Sequence, residues 1–286
     1  MTVFRKIFRF FVYSNLFIAC CAVLMLAQTC SQVLHTSPPL LLMAFVFCAT
    51  ISSYSFHWYL TPATDQFHSD RIDWLSRYKN IHLWFFIFGT AGVVLLGIEL
   101  IEHWRWLVFA AGITFLYSAP KIPHPWFKLL RKIAIGKTIF LAGVWMFVTS
   151  VLPLAVSERS WQADFTLFCI SRFFLIYAIC ILFDYRDREY DIAIGIRSLI
   201  TAMNERNIDR LFIASLVIFA ASAFALHFYG HSVTAILSLI IPGGMTASLY
   251  SYAKKSISDM LYYFVLDGLM ALSAVLYYIA TGFNWQ

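Results

Sequence analysis

Long apolar runs, each closed by a polar connection, set the plan of this chain. Nine can be marked: 10–30, 38–60, 81–100, 104–118, 135–156, 164–184, 207–227, 232–252 and 261–281. Most have about the 20 residues that a helix needs to cross the hydrocarbon of a bilayer; the run at 104–118 is the shortest. A spanning segment must satisfy its own backbone, so the pattern predicts an all-α polytopic membrane protein with nine transmembrane helices in one domain, residues 1–286. The first run exceeds the usual apolar stretch of a signal peptide and no small-residue cleavage site follows it, so it reads as a retained span. Pro242-Gly243-Gly244 interrupts the eighth run and predicts a bend. The long connections, 61–80, 119–134 and 185–206, all fall on one side. In the first of them Phe67, Ile72 and Trp74 stand among Asp65, Asp70, Arg71 and Asp73, which predicts a helix lying over the membrane face.

Composition agrees with this pattern. Of the 286 residues 61% are hydrophobic and only 13% charged, with a mean hydropathy of +0.74. That charged share is about half of what a soluble domain carries. The net charge of +6 would suit nucleic acid, but its distribution argues against that partner. All but three of the 21 lysines and arginines lie in the N-terminal segment or in alternate connections. The exceptions are Arg105 and Arg159 on the opposite side and Arg172 within the sixth run. This asymmetry places the N-terminus in the cytoplasm and the C-terminus outside a cytoplasmic or inner membrane. The six cysteines, Cys20, Cys21, Cys30, Cys48, Cys169 and Cys180, sit in or beside apolar runs without metal-ligand spacing and read as small hydrophobes.

The candidate chemistry lies at 183–199. Asp184, Asp187 and Asp191 follow the sixth apolar run directly, and offsets of three and four put their carboxylates on one helix face. Three converging anions repel one another at a membrane surface. Cations between them would relieve this, and Mg²⁺ bound to a diphosphate suits the donor type. A solvated helix end of mixed charge is the alternative. Two features weigh against it: the aspartates begin flush with the apolar run, where unpaired charge is costly, and Gly195-Ile-Arg197-Ser198-Leu199 closes the segment with a turn and another cation.

At these residues the chain resembles the UbiA family of intramembrane prenyltransferases. The family's second aspartate motif, D-x-x-D-x-x-x-D followed by G-x-[RK]-[ST]-L, is matched by Asp184, Asp187, Asp191, Gly195, Arg197, Ser198 and Leu199. Tyr117-Ser118-Ala119-Pro120 is similar to its Tyr-Ser-x-Pro signature after the fourth helix. Leu130-Arg131 and Gly136-Lys137 resemble its basic stretch entering the fifth. The first aspartate motif departs: Ser53 stands where asparagine is expected, His57 where aspartate is expected, and Thr61 where a further aspartate would fall. Four crossings separate helices two and six, so His57 and Asp184 are predicted at the same face of the membrane.

The resemblance implies a UbiA-like bundle that binds a prenyl diphosphate and a hydrophobic aromatic or quinone-like acceptor at the cytoplasmic face. It assigns Mg²⁺ to Asp184, Asp187 and Asp191, and catalytic positions to these three with His57 and Tyr117. Lys121, Lys128, Lys137 and Arg197 are the candidate diphosphate ligands. Tyr54, Phe56, Trp58, Tyr117 and Trp145 form the pool of π-faces for an allyl cation, and membrane lipid would receive the isoprenoid tail. Two other readings stand beside this one. The altered first motif suits a non-catalytic descendant that binds a lipid diphosphate or serves as a membrane partner. Intramembrane Arg172 and Asp267, as a pair or as a polar lining, would suit a transporter, although no inverted repeat accompanies them.

Overall fold

The computed structural model describes residues 3–61, 69–122, 124, 127, 136–193, 195 and 198–282. Among these the chain is helical throughout, with no strand. Eight helices have the length and apolarity to cross a membrane: α2 (Leu16–Val33), α3 (Leu40–Tyr59), α4 (Asp70–Glu99), α6 (Lys137–Val156), α7 (Ala163–Ala193), α9 (Glu205–Tyr229), α10 (Val233–Ala253) and α11 (Leu261–Thr281). The protein is an integral membrane protein. The described residues include three shorter α-helices: α1 (Val3–Tyr13), α5 (Trp104–Ser118) and α8 (Leu199–Ala202). Helix α5 coincides with the short fourth apolar run. Its 15 residues give about 22 Å of helix.

The helices close into a ring. In order, α2, α3, α5, α6, α7, α9, α10 and α11 pack side by side, and α11 returns to α2. Helix α7 is the most enclosed, with 72% of its apolar window buried, whereas α4 buries 11% and packs on the outside of α3. The α7 helix therefore carries Asp184 down the inner wall of the bundle, while α4 turns its apolar side chains outward toward lipid.

Two predicted boundaries move. The first apolar run does not form one helix over 10–30. It breaks at Ser14-Asn15, where Asn15 takes a left-handed φ of 72°. A single left-handed residue redirects the chain, so α1 and α2 are separate helices. Asn15 is held there by bonds: its amide reaches Ser55 Oγ at 3.3 Å and His82 Nδ1 at 3.3 Å, and its carbonyl oxygen accepts from Arg71 at 2.8 Å. The 61–80 connection is also shorter than predicted. Residues 70–77 form the first turns of α4 itself, set off from the rest only by a break from helical geometry at Tyr78 (φ −122°, ψ 26°).

Pro242 and its two glycines do not break α10, which is continuous from Val233 to Ala253. The glycine serves packing. A Cβ on Gly243 would clash with Cε1 of Phe219 on α9 and lie within 3.0 Å of two more atoms of that ring, and Phe219 is itself buried. Gly243→Ala is expected to cost about 1–3 kcal/mol, seen as a lower unfolding temperature in detergent. A wild-type melting curve would contradict this contact.

At the end of the bundle away from the aspartates, His231 Nε2 lies 3.5 Å from an Asp164 carboxylate oxygen and His231 is almost fully buried. The His35 ring is 6.3 Å away, centroid to centroid. Burial lowers the His231 pKa below the ordinary imidazole value, and Asp164 opposes that shift only in part. The unfolded chain thus binds the His231 proton more readily than the folded one. Stability contributed here is complete above about pH 6.5 and is lost as the pH falls below it. His231→Gln is expected to flatten the unfolding temperature across that window, and an unchanged slope would remove His231 as its cause.

Candidate functional site

Asp184, Asp187 and Asp191 occupy the last two and a half turns of α7, as their spacing predicts. Asp184 and Asp191 are buried and Asp187 is half-buried. They have different partners. Asp184 accepts a hydrogen bond from Thr138 Oγ1 at the start of α6, and Lys137 Nζ stands 4.0 Å from its other oxygen. Asp187 pairs with its neighbour Arg186, Nε to Oδ1, at 2.8 Å. Asp191 Oδ2 is buried without a hydrogen-bond partner among the described residues.

The predicted His57 lies at the end of α3. Its ring stacks on Tyr117 of α5, with centroids 5.1 Å apart and planes 16° from parallel, and its Nδ1 is 3.4 Å from Ser118 Oγ. Lys121, just beyond α5, donates to Thr61 Oγ1 and stands 5.7 Å from the Trp58 ring. The two positions where the family pattern expects aspartate thus carry no carboxylate and are engaged: His57 against an aromatic ring and a hydroxyl, Thr61 with a lysine. Lys137 reaches Asp184 from the start of α6, and α6 also packs against α5, which carries Tyr117. Lys128, Arg197, Leu130, Arg131, Asp65 and Phe67 lie outside the described residues. Gly195 is in a turn at φ 75°, and Ser198 caps α8 through a reciprocal pair of bonds with Thr201.

Beneath this polar end lie two apolar cavities. One, of about 50 Å³, is bordered by Ser53, Tyr54, Thr114, Tyr117 and Trp145, so three of the five aromatic candidates face one space. Trp145 Nε1 donates to Tyr54 OH at 3.0 Å across it. The other, of about 290 Å³, shares Ser53 and Thr114 and extends between α3, α4 and α5 past Phe56, Phe86 and Leu107. Trp58 does not join them, because its ring covers Arg71.

A second cluster beside the aspartates was not legible beforehand. The Arg71 guanidinium lies between the rings of Trp58 and Tyr263, 3.9 Å from each centroid. The Arg71 backbone N–H donates to Asp259 at 2.9 Å. Arg186 approaches the same aspartate at 3.9 Å and donates to Tyr263 OH at 3.1 Å. The intramembrane Arg172 donates to Met25 O, Gln28 Oε1 and Thr149 O, and no ion pair joins it to Asp267 among the described residues. Each of these contacts joins residues far apart in sequence, and Arg71 in particular looks like one more loop charge.

The Mg²⁺ expected from the resemblance can be tested against these donors. Among the described residues no three histidines, cysteines or carboxylates gather closely enough to hold a metal, so an all-protein cage does not fit. The unpartnered buried oxygen of Asp191, one turn below Asp187, fits an ion that arrives with a diphosphate and takes only one or two carboxylates. No protein-family model, curated protein or solved structure matches the chain. The family likeness therefore rests on the motif residues alone.

Proposed function

We propose that this protein is an intramembrane prenyltransferase, moving an isoprenyl group from a prenyl diphosphate to an aromatic or quinone-like acceptor. The observation that carries the reading is the acidic end of α7 beside an aromatic-lined hollow: buried Asp184 with Lys137 4.0 Å away, and a buried Asp191 oxygen without a partner among the described residues, close to the space bordered by Tyr54, Tyr117 and Trp145. In this reading α5 is a ninth crossing, the nine spans form a UbiA-like bundle, and the aspartate end faces the cytoplasm as the basic connections suggest.

Lys137 and Lys121 bind and orient the diphosphate oxygens, with Lys128 and Arg197 as further candidates. When bound, Mg²⁺ ions taking one or two carboxylates each from among Asp184, Asp187 and Asp191 would neutralise charge on the leaving group. The bond between the allylic C1 and the diphosphate oxygen breaks, and its electron pair leaves with the diphosphate. Tyr54, Tyr117 and Trp145 offer π-faces to the allylic carbon and exclude water from it. An acceptor ring carbon then bonds to C1 and the ring loses a proton. Membrane lipid surrounds the isoprenoid tail.

Purified protein incubated with prenyl diphosphates of graded length and aromatic acceptors is expected to release diphosphate and form a prenylated product. A divalent-metal chelator should stop both. Binding of the diphosphate without turnover would reject the enzyme and favour a non-catalytic binder. Two specific features already lean that way: Asp187 is tied to Arg186, and His57 and Thr61 replace acids.

A further inference from the structure

The N-terminal helix α1 has three distinct faces. On a wheel of about 100° per residue, Val3, Phe4, Ile7 and Phe10 share one arc of roughly 100–120°, and all four are exposed, Phe4 by 78% and Val3 by 73%. Phe8 and Val12 share another arc and meet the bundle: the Phe8 ring packs edge-on against Phe264 of α11 at 4.8 Å, and Val12 is buried. Arg5, Lys6 and Arg9 share the third. Arg5 and Lys6 are exposed, and Arg9 reaches Asp70 at the start of α4 at 2.6 Å. The left-handed turn at Asn15 keeps α1 from continuing the line of α2.

A helix within a spanning segment would not carry a basic stripe beside an exposed apolar one. A helix lying in the plane of the interface requires both, with one flank against the protein, one in the acyl boundary and one among headgroups. We infer that α1 is an in-plane anchor whose Arg5 and Lys6 bind anionic phospholipid headgroups of the leaflet at the aspartate end. The occupant follows from charge: the exposed polar stripe is wholly basic over residues 3–13, and its apolar neighbour demands a hydrocarbon surface, which free phosphate does not offer. The Arg9–Asp70 pair ties this anchor to the residue before Arg71, so lipid binding acts next to the candidate site. The inference does not depend on the proposed transferase activity.

Hydrogen exchange over residues 3–13 tests it, using the full-length protein in nanodiscs of phosphatidylcholine alone or with about one third phosphatidylglycerol. Exchange is expected to be roughly tenfold slower with phosphatidylglycerol, since each basic residue near an anionic surface contributes about one such factor or less. The difference should vanish in the Arg5→Gln/Lys6→Gln protein. In the Phe4→Ser/Ile7→Ser protein exchange should quicken in both bilayers, with α7 exchange unchanged as the sign that the bundle is folded. In the wild type, added salt should erase the phosphatidylglycerol effect, and inorganic phosphate over phosphatidylcholine should not reproduce it. Equal exchange in the two bilayers would overturn the inference. So would an effect that survives salt or the loss of both basic residues, protection by phosphate alone, or wild-type exchange in the serine variant.

Discussion

Replacing Asp184 with asparagine is expected to lower Mg²⁺-dependent diphosphate release from a prenyl diphosphate by about 10²–10³-fold, the size of effect seen when one preorganised electrostatic group is removed from an active site. Asparagine keeps the shape of the side chain and can still accept from Thr138. It cannot offset the charge of Lys137 or serve a divalent ion. Stability should move the other way or not at all. Asp184 lies at the wall of an apolar bundle, buried, with a cation 4.0 Å from one oxygen and not in close contact. A buried carboxylate so weakly paired costs desolvation energy that a neutral amide avoids. Loss of activity with an unchanged or raised unfolding temperature is the signature of a residue kept for function at the expense of stability. The same comparison at Asp164, a carboxylate at the far end of the same helix, should leave diphosphate release near wild type. Full activity in Asp184→Asn would end the transferase reading, whatever the family likeness.

The helical plan was largely legible in the sequence because lipid imposes it. Apolar runs of spanning length admit one local structure, and eight of the nine predicted runs appear as helices long and apolar enough to cross. What the pattern could not show was where an apolar run stops being a span. Residues 10–13 are as hydrophobic as those after them, yet Asn15, fixed by Ser55, His82 and Arg71, turns the chain. The carboxylates were legible as well, since helical spacing alone puts Asp184, Asp187 and Asp191 on one face. Their partners were not. Asp187 belongs to Arg186, Asp184 to α6, and one Asp191 oxygen has no partner among the described residues, distinctions that depend on how α6 and α11 pack against α7. Arg71 is the clearest omission. Its chain neighbours look solvated, and only tertiary packing brings Trp58 and Tyr263 to its two faces.

Arg172→Lys is expected to destabilise the protein by about 2–4 kcal/mol, more than the drastic-looking Arg172→Met. Arg172 is buried in the first third of α7, without a carboxylate partner among the described residues. Its guanidinium donates instead to Met25 O at 2.7 Å, to Gln28 Oε1 at 2.8 Å and, more weakly, to Thr149 O at 3.5 Å. Two of the three acceptors are backbone carbonyls beside or within the π-helical turns Thr29–Val33 and Phe147–Val151, where widened hydrogen bonding leaves acceptors facing outward. Gln28 is held in turn by Ser273 on α11 and by Gln32. A planar fork spans acceptors on α2 and α6 at once. A lysine ammonium is a single point and would leave a cation in the apolar interior with part of its hydrogen bonding unmet, and bonds to a charged donor contribute about 1.5–3 kcal/mol each. Methionine removes the charge together with its desolvation cost. The acceptors it abandons keep other donors: Thr29 Oγ1 donates to Thr149 O at 2.7 Å, the Thr29 backbone N–H to Met25 O, and Ser273 Oγ to Gln28 Oε1. Denaturant unfolding of the three proteins in one detergent gives the ordering directly. Arg172→Met less stable than Arg172→Lys would mean that positive charge itself, and not the reach of the fork, holds α2 and α6 to α7.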